Sequence, residues 1–311
     1  MNQEEVDEKY MGRCLQIARN GLLKAKPNPS VGAVIVSKDG RILGEGYTSA
    51  YGGPHAEVNA FASVRPSDEP LLKEATLYVS LEPCSHWGHT PPCCDLVIRK
   101  GVKRCVCGCV DPFAKVKGRG IQRMREAGIS VTVGVLESEC WEANKRFMVY
   151  QTYHRPYILL KWAQSLDGFI DDHGHPTMFS TPFTQMLSHQ LRAESDAILV
   201  GRVTDEREHP QLNVRHWSGK DPKRIVLTHD TPLPDLMDKL YEEKVQSLIV
   251  EGGATTHQGF LDAGFWDEIR VETAPRVIGD GTRAVLLPSC LRLMSHQLVD
   301  GNSIDTYERV R

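Results

Sequence analysis

Two kinds of apolar pattern alternate along the chain. Apolar side chains at Val6, Tyr10, Cys14, Ile17 and Ala18 recur at helical spacing and predict an amphipathic helix over 6–22. PNPSVG (27–32) is a Pro/Asn turn, and the run VGAVIVS predicts a strand. KDGR (38–41) signals a hairpin into a second strand, ILGEGY. Gly52, Gly53 and Pro54 open a helical pattern that reaches Val64. TLYVSLE (76–82) predicts a strand, a polar loop follows, and a helix is expected from about Cys93 to Lys100. RCVCGCV, 118–128, SVTVGV and 137–150 then read as strand, helix, strand and helix. HRP (154–156) is the expected boundary. After it, strands are expected at YILLKWA (157–163), DAILVG (196–201), KRIVLT (223–228), QSLIVEG (246–252), EIRVETA (268–274) and SIDTYERV, with helices near 182–193, 234–243 and 255–263. Strands alternating with helices imply α/β sheets covered by helices.

Length agrees with this division. At about 150 residues per domain, 311 residues suit two domains, 1–150 and 151–311. Hydrophobic residues make up 41% and charged residues 25%, the proportions of a soluble globular protein. A formal charge of -3 argues against a nucleic-acid partner, which calls for a basic surface. No apolar run nears the ~20 residues of a membrane helix, so no membrane partner is expected. The acidic N-terminus lacks an apolar signal core, and a cytoplasmic protein is expected. Nine cysteines, an odd number, argue against a disulfide framework and for metal or catalytic use of some of them. Cys105, Cys107 and Cys109 alternate and so share one face of a strand. Core packing is the preferred reading for them, over metal binding.

The candidate chemistry of the first half lies in His55-Ala56-Glu57, Pro83-Cys84 and Cys93. One His, two Cys and a non-ligand Glu are the parts of a zinc deaminase. Three protein ligands leave a fourth position on Zn2+ for water, whose pKa then falls to about 7. Glu57 would carry protons from that water to the ring nitrogen and the leaving ammonia. Positions i and i+2 of a helix point about 200° apart. His55 and Glu57 can therefore serve one metal only beyond a helix N-terminus, where Gly52-Gly53-Pro54 places it. Cys93 likewise starts a helix after Pro91-Pro92, which would depress its pKa. His86, His89 and Cys94 compete as ligands; helix packing is preferred for Cys94, and loop or substrate contacts for the two His. A structural zinc with four protein ligands would leave Glu57 without a purpose.

PNPSVGAVIV (27–36), PHAEVNA (54–60), LEPCSHWGHTPPC (81–93) and DPFAKVKGRG (111–120) resemble the deaminase half of the bifunctional riboflavin-biosynthesis deaminase–reductases, the RibD family. The eight residues between the two Cys set the motif apart from nucleoside and tRNA adenosine deaminases, which usually have two. The resemblance implies a cytidine-deaminase-like three-layer α/β/α domain with zinc on His55, Cys84 and Cys93 and Glu57 as proton carrier. It implies a pyrimidine substrate bearing a phosphoribosylamino group, with Asn28, His86, Asp111 and Lys115 as substrate contacts.

LKWAQSLDGFI (160–170), STP (180–182), LRAESDAILVG (191–201), HPQLNVR (209–215) and VEGGATTHQGFL (250–261) resemble the reductase half of the same family, which implies a dihydrofolate-reductase-like α/β domain. Gly252 and Gly253 lie between a strand and a helix, where backbone N–H groups can face a phosphate. No GxGxxG fingerprint supports a Rossmann domain. Carried over by position, Lys161, Gln164, Thr204, Glu208, Gly252 and Gly253 would face NADPH or the hydride-transfer site. Arg192, Leu212, Arg215 and Glu251 would face substrate, the two arginines matching a ribose phosphate. The chain departs from the family at Glu208-His209-Pro210, where an Asp-initiated triplet is common, and at Pro176-Thr177-Met178, where Ser-x-Trp is common. It is also shorter between 228 and 234 by about one strand. The expectation is hydrolytic deamination of 2,5-diamino-6-(5-phosphoribosylamino)pyrimidin-4-one, then NADPH reduction of the ribosyl group, by a homo-oligomer acting on a small molecule. Two alternatives stand beside it: a deaminase with an inactive reductase-like domain, and a zinc-stabilised binding module without catalysis.

Overall fold

A computed structural model of the chain describes residues 2–87, 91–113 and 116–310. The chain divides into two units, Met1–Thr152 and Tyr153–Arg311.

The first unit runs α1 (Gln3–Ala18), β1 (Gly32–Val36), β2 (Ile42–Tyr47), α2 (Ala56–Ala62), β3 (Thr76–Leu81), α3 (Cys93–Lys100), β4 (Arg104–Cys109), α4 (Arg119–Glu126), β5 (Ser130–Val133), α5 (Glu137–Ala143) and α6 (Lys145–Tyr153). Its sheet has the order β2-β1-β3-β4-β5. β1 is antiparallel to β2 and β3, whereas β3, β4 and β5 are parallel. The hairpin expected at KDGR is made, with Gly40 at φ 87°. α1 and α5 cover one face of the sheet and α2, α3 and α4 the other. Close approach is enforced by glycine: a Cβ on Gly32 would meet the Cys14 backbone at 1.9 Å, and one on Gly46 the Ala60 backbone at 2.3 Å. Cys105 and Cys107 lie on one face with their sulfurs 3.9 Å apart, and both belong, with Cys109, to the buried apolar core. The helix expected over 137–150 is interrupted at Asn144. Its side chain turns away to accept the Ser30 N–H at 2.8 Å and donate to the Ser30 carbonyl at 3.1 Å.

The second unit runs β6 (Tyr157–Gln164), α7 (Pro182–Glu194), β7 (Ala197–Gly201), α8 (Arg202–Glu208), β8 (Lys223–Leu227), α9 (Leu233–Glu242), β9 (Ser247–Val250), α10 (Ala254–Asp262), β10 (Glu268–Thr273), β11 (Leu291–Val299) and β12 (Asn302–Arg309). The order is β11-β12-β10-β6-β9-β7-β8, with the last five strands parallel and the β11–β12 hairpin antiparallel. One face carries a large apolar core that includes Ile158, Leu160, Trp162, Leu240, Val250 and Phe260. The other carries a small cluster of Leu159, Ile198, Val200, Leu212 and Ile249, and Lys161 follows Leu159 on that face by strand alternation. Two elements escaped the sequence pattern. α8 buries no side chain and so has no apolar stripe, and β11 is exposed at most of its positions, so it shows no alternation.

Candidate functional site

In the first unit the site forms where two helices begin. His55 is the N-cap of α2, with extended backbone at φ -75° and ψ 167°, and Glu57 lies in the first turn. Cys84 follows β3, and Cys93 is the first residue of α3 after Pro92. The His55 Nδ1 lies 3.6 Å from the Cys84 sulfur and 3.4 Å from the Cys93 sulfur, and the three donor atoms fall within 4.8 Å of one another. Such separations are the edges of a tetrahedron with metal–ligand bonds of about 2.0–2.3 Å. One nitrogen and two sulfurs are borderline-soft donors that suit zinc, so the residues present fit the ion. Among the described residues this is the one His/Cys/Asp/Glu group so arranged.

Hydrogen bonding with Cys93 holds the Cys84 thiol down to about 4 against the opposing effect of burial, and His55 assists. The Cys93 N–H also donates to the Cys84 sulfur at 3.3 Å. Cys93 is pushed well up by its hydrogen bond with Cys84 and by burial. Hydrogen bonding with Cys84 raises His55 against the effect of burial. Glu57 is buried, and that burial pushes its carboxyl up to about 7, with the Cys84 charge adding to the effect. Cys94 stands outside the cluster: it is buried, its sulfur faces the Asp95 carboxylate at 3.6 Å, and burial pushes it up to about 12.

The remaining residues expected in this site are distributed around it. The half-buried His86 presents an Nδ1 without a hydrogen-bond partner among the described residues, and its ring meets Phe113 edge-on at 5.5 Å. Asp111 is buried, accepts the Phe113 N–H at 2.8 Å, and is pushed up to about 7 by burial. Asn28 lies half-buried in the turn before β1. Lys115 and His89 lie outside the described residues. Sequence reasoning missed Glu82, a buried carboxylate that accepts four backbone N–H groups of the segment 111–121. The available signal was a charged residue closing an otherwise apolar strand, two positions before a metal ligand.

In the second unit Arg192 on α7 and Glu251 after β9 form a two-pronged ion pair, 2.9 and 2.7 Å, with side chains only 13% and 10% exposed. Arg192 also donates to the Asn213 carbonyl at 3.2 Å. The guanidinium fork expected to face a substrate phosphate is thus already engaged within the protein, whereas Arg215 is exposed and bonded only to Asn213 Oδ1, 3.0 Å away, among the described residues. Burial works against ionisation of Glu251, but the nearby Lys161 charge and Arg192 hold it below the usual carboxylate range. Lys161 itself is buried on β6. Gln164 accepts from the Trp162 indole at 2.9 Å and donates to Thr273 at 3.4 Å. Gly253 caps α10 and lies against Thr204 of α8: a Cβ there would meet the Thr204 hydroxyl at 3.5 Å. A Cβ on Gly252 would meet Thr256 at 2.7 Å. This tight backbone cradle, at the C-terminal ends of parallel strands, fits the phosphates of a nicotinamide dinucleotide. Glu208 is exposed at the end of α8. Beyond it His209 and the buried Leu212 adopt left-handed φ values of 41° and 53°, a strain of roughly 1–3 kcal/mol each that is typical of functional segments.

Comparison with known proteins agrees with both readings. The family model "Cytidine and deoxycytidylate deaminase zinc-binding region" matches residues 4–109, and "RibD C-terminal domain" matches 156–302. The riboflavin biosynthesis protein RibD of Aquifex aeolicus is 38% identical, with 89% of each chain covered, and that of Escherichia coli is 37% identical, with 90% of each covered. The solved diaminohydroxyphosphoribosylaminopyrimidine deaminase/5-amino-6-(5-phosphoribosylamino)uracil reductase of Thermotoga maritima superposes with a TM-score of 0.90 at 32% identity, covering 99% of this chain and all of that one. With its donors gathered at one point and both halves matched in one order along one chain, the protein belongs to the RibD family of riboflavin-biosynthesis proteins.

Proposed function

We propose that the chain catalyses two successive steps of riboflavin biosynthesis: zinc-dependent hydrolytic deamination of a phosphoribosylamino-pyrimidine in the first unit, and NADPH-dependent reduction of its ribosyl group in the second. The observation that carries the first step is the gathering of His55, Cys84 and Cys93 around one point with Glu57 buried beside them. These three residues would hold zinc, which supplies the Lewis acidity that makes water a nucleophile near neutral pH. Glu57, buried in the first turn of the helix that His55 caps, would take one proton from the water and give it to the ring nitrogen, then take the second and give it to the departing amine. His86, whose Nδ1 has no hydrogen-bond partner among the described residues, together with Asp111, Asn28 and Lys115, orients the ring and its phosphoribosyl arm.

In the second unit, Gly252, Gly253 and Thr204 would hold the cofactor phosphates, with Lys161, Gln164 and Glu208 toward its reactive end. NADPH supplies the reducing electrons, and the protein supplies binding and orientation. Arg215 takes the substrate phosphate, Leu212 bounds the sugar, and Arg192 holds Glu251 in place. The protein works in the cytoplasm on a small molecule, independent of nucleic acid and membrane; no helix among the described residues is long and apolar enough to cross one. It does so as a homo-oligomer, for which the edge strand β11, with Leu293, Met294 and Leu298 exposed, offers a surface. Purified protein given the diaminopyrimidine should release ammonia, and should oxidise NADPH only after that release. Ammonia without NADPH oxidation would leave a deaminase with an inactive second unit.

A further inference from the structure

Glu82 is buried, and among the described residues no Lys, Arg or His pairs with it. A carboxylate buried without a counter-cation costs several kcal/mol unless its oxygens are hydrogen-bonded. Here backbone amides do that. Oε2 accepts from Gly118 at 2.8 Å and Asp111 at 3.4 Å, and Oε1 from Gly120 at 2.9 Å and Ile121 at 3.3 Å. The last two lie in the first turn of α4, where an anion also meets the positive end of the helix dipole.

The position of this carboxylate is what gives it a role beyond folding. It stands two residues before Cys84, and one of its donors is the amide of Asp111. The donors bracket the segment from Asp111 to Ile121 at both ends, so one side chain ties the zinc-ligand loop to the segment proposed to contact substrate. The fit is close: a Cβ on Gly120 would come within 2.2 Å of the Pro83 carbonyl, and Gly118 adopts a left-handed φ of 78° at the helix cap. Arg123, one turn into α4, adds a second tie through the Ser85 carbonyl at 3.2 Å and an ion pair with Asp95. Phe113, inside the segment, meets the ring of His86.

We infer that Glu82 is a positioning residue of the deaminase: it sets substrate affinity by holding the segment 111–121 against the metal-ligand loop, and acts on the metal itself only weakly. The inference rests on the deaminase reading above. In Glu82→Gln, two of the four amides would face an NH2 group in place of an acceptor. KM for the diaminopyrimidine is expected to rise about tenfold or more, with kcat little changed and the zinc content as in the wild type. Amide hydrogen exchange should quicken over 111–121 while β1 and β3 stay protected. Glu82→Asp keeps the charge but falls one methylene short, so its KM should lie between; it also replaces the Gln variant should that fail to fold. Loss of zinc in step with the rise in KM, or an unchanged KM with 111–121 exposed to exchange, would overturn the inference. Wild-type protein that releases no ammonia would instead refute the deaminase reading, and the exchange result would still report whether Glu82 holds the segment.

Discussion

The two candidate sites handle buried charge in opposite ways. In the first, Cys84 and Cys93 gather at His55 with Glu57 buried in the same helix turn, and among the described residues no Lys or Arg forms an ion pair with Glu57. In the second, Arg192 and Glu251 neutralise one another, and Glu272 is fully engaged by Ser180, Thr184 and Asn302 at 2.6–2.7 Å. A site completed by a metal leaves its charge open for that metal. A site completed by a large cofactor and a phosphorylated sugar can be built on a self-satisfied polar floor, with recognition delegated to the rim and to backbone amides. Removing one residue should therefore have a different signature in each unit.

The largest effect is expected from Cys84→Ala. Zinc should be lost and ammonia release should fall to background, while NADPH oxidation with the deaminated intermediate continues; metal analysis and the two assays together check this. Arg192→Ala removes the two-pronged hydrogen-bonded partner of the buried Glu251, and breaking such a pair costs about 3–5 kcal/mol. Calorimetry should show the second unit melting earlier with zinc retained. Arg215→Ala, an exposed rim change, should raise KM in the reductase assay about tenfold and move stability by no more than about 0.5 kcal/mol.

A smaller effect concerns pH. Burial opposes ionisation of Asp7, but hydrogen bonds from Arg104, Tyr78 and Gln3 outweigh it and hold the carboxyl below its ordinary value. A depressed folded-state pKa means stabilisation that is complete above the unfolded value of about 3.9 and lost as pH falls through the folded one. Asp7→Asn should lower the melting temperature at neutral pH and flatten its decline in acid; an acid limb identical to that of the wild type would contradict this.

The gathering of His55, Cys84 and Cys93 was legible in the sequence because the residue types a metal site takes are dictated by coordination chemistry and their spacing by helix starts. His55 and Cys93 both stand where Gly-Gly-Pro and Pro-Pro begin helices. Elements with a continuous apolar pattern were legible for the same local reason, as β1, β4 and β9 show. The rest depends on partners distant in the chain. The role of Glu82 is set by amides some thirty to forty positions later. The pairing of Arg192 with Glu251, 59 positions apart, engages one edge of a fork that by itself suited a phosphate. β11 carries no alternation because most of its side chains are exposed, and only its pairing with β12 reveals it.

The most direct test of the central claim is ammonia release by zinc-loaded Glu57→Gln beside wild type, with zinc measured in the same samples. The expected result is full zinc content with kcat lower by about 10²–10⁴-fold, the range for a lost general acid–base group, and unchanged NADPH-dependent reduction of the deaminated intermediate. Ammonia release at the wild-type rate with zinc in place would contradict the assignment of Glu57 and, with it, the deaminase built around His55, Cys84 and Cys93.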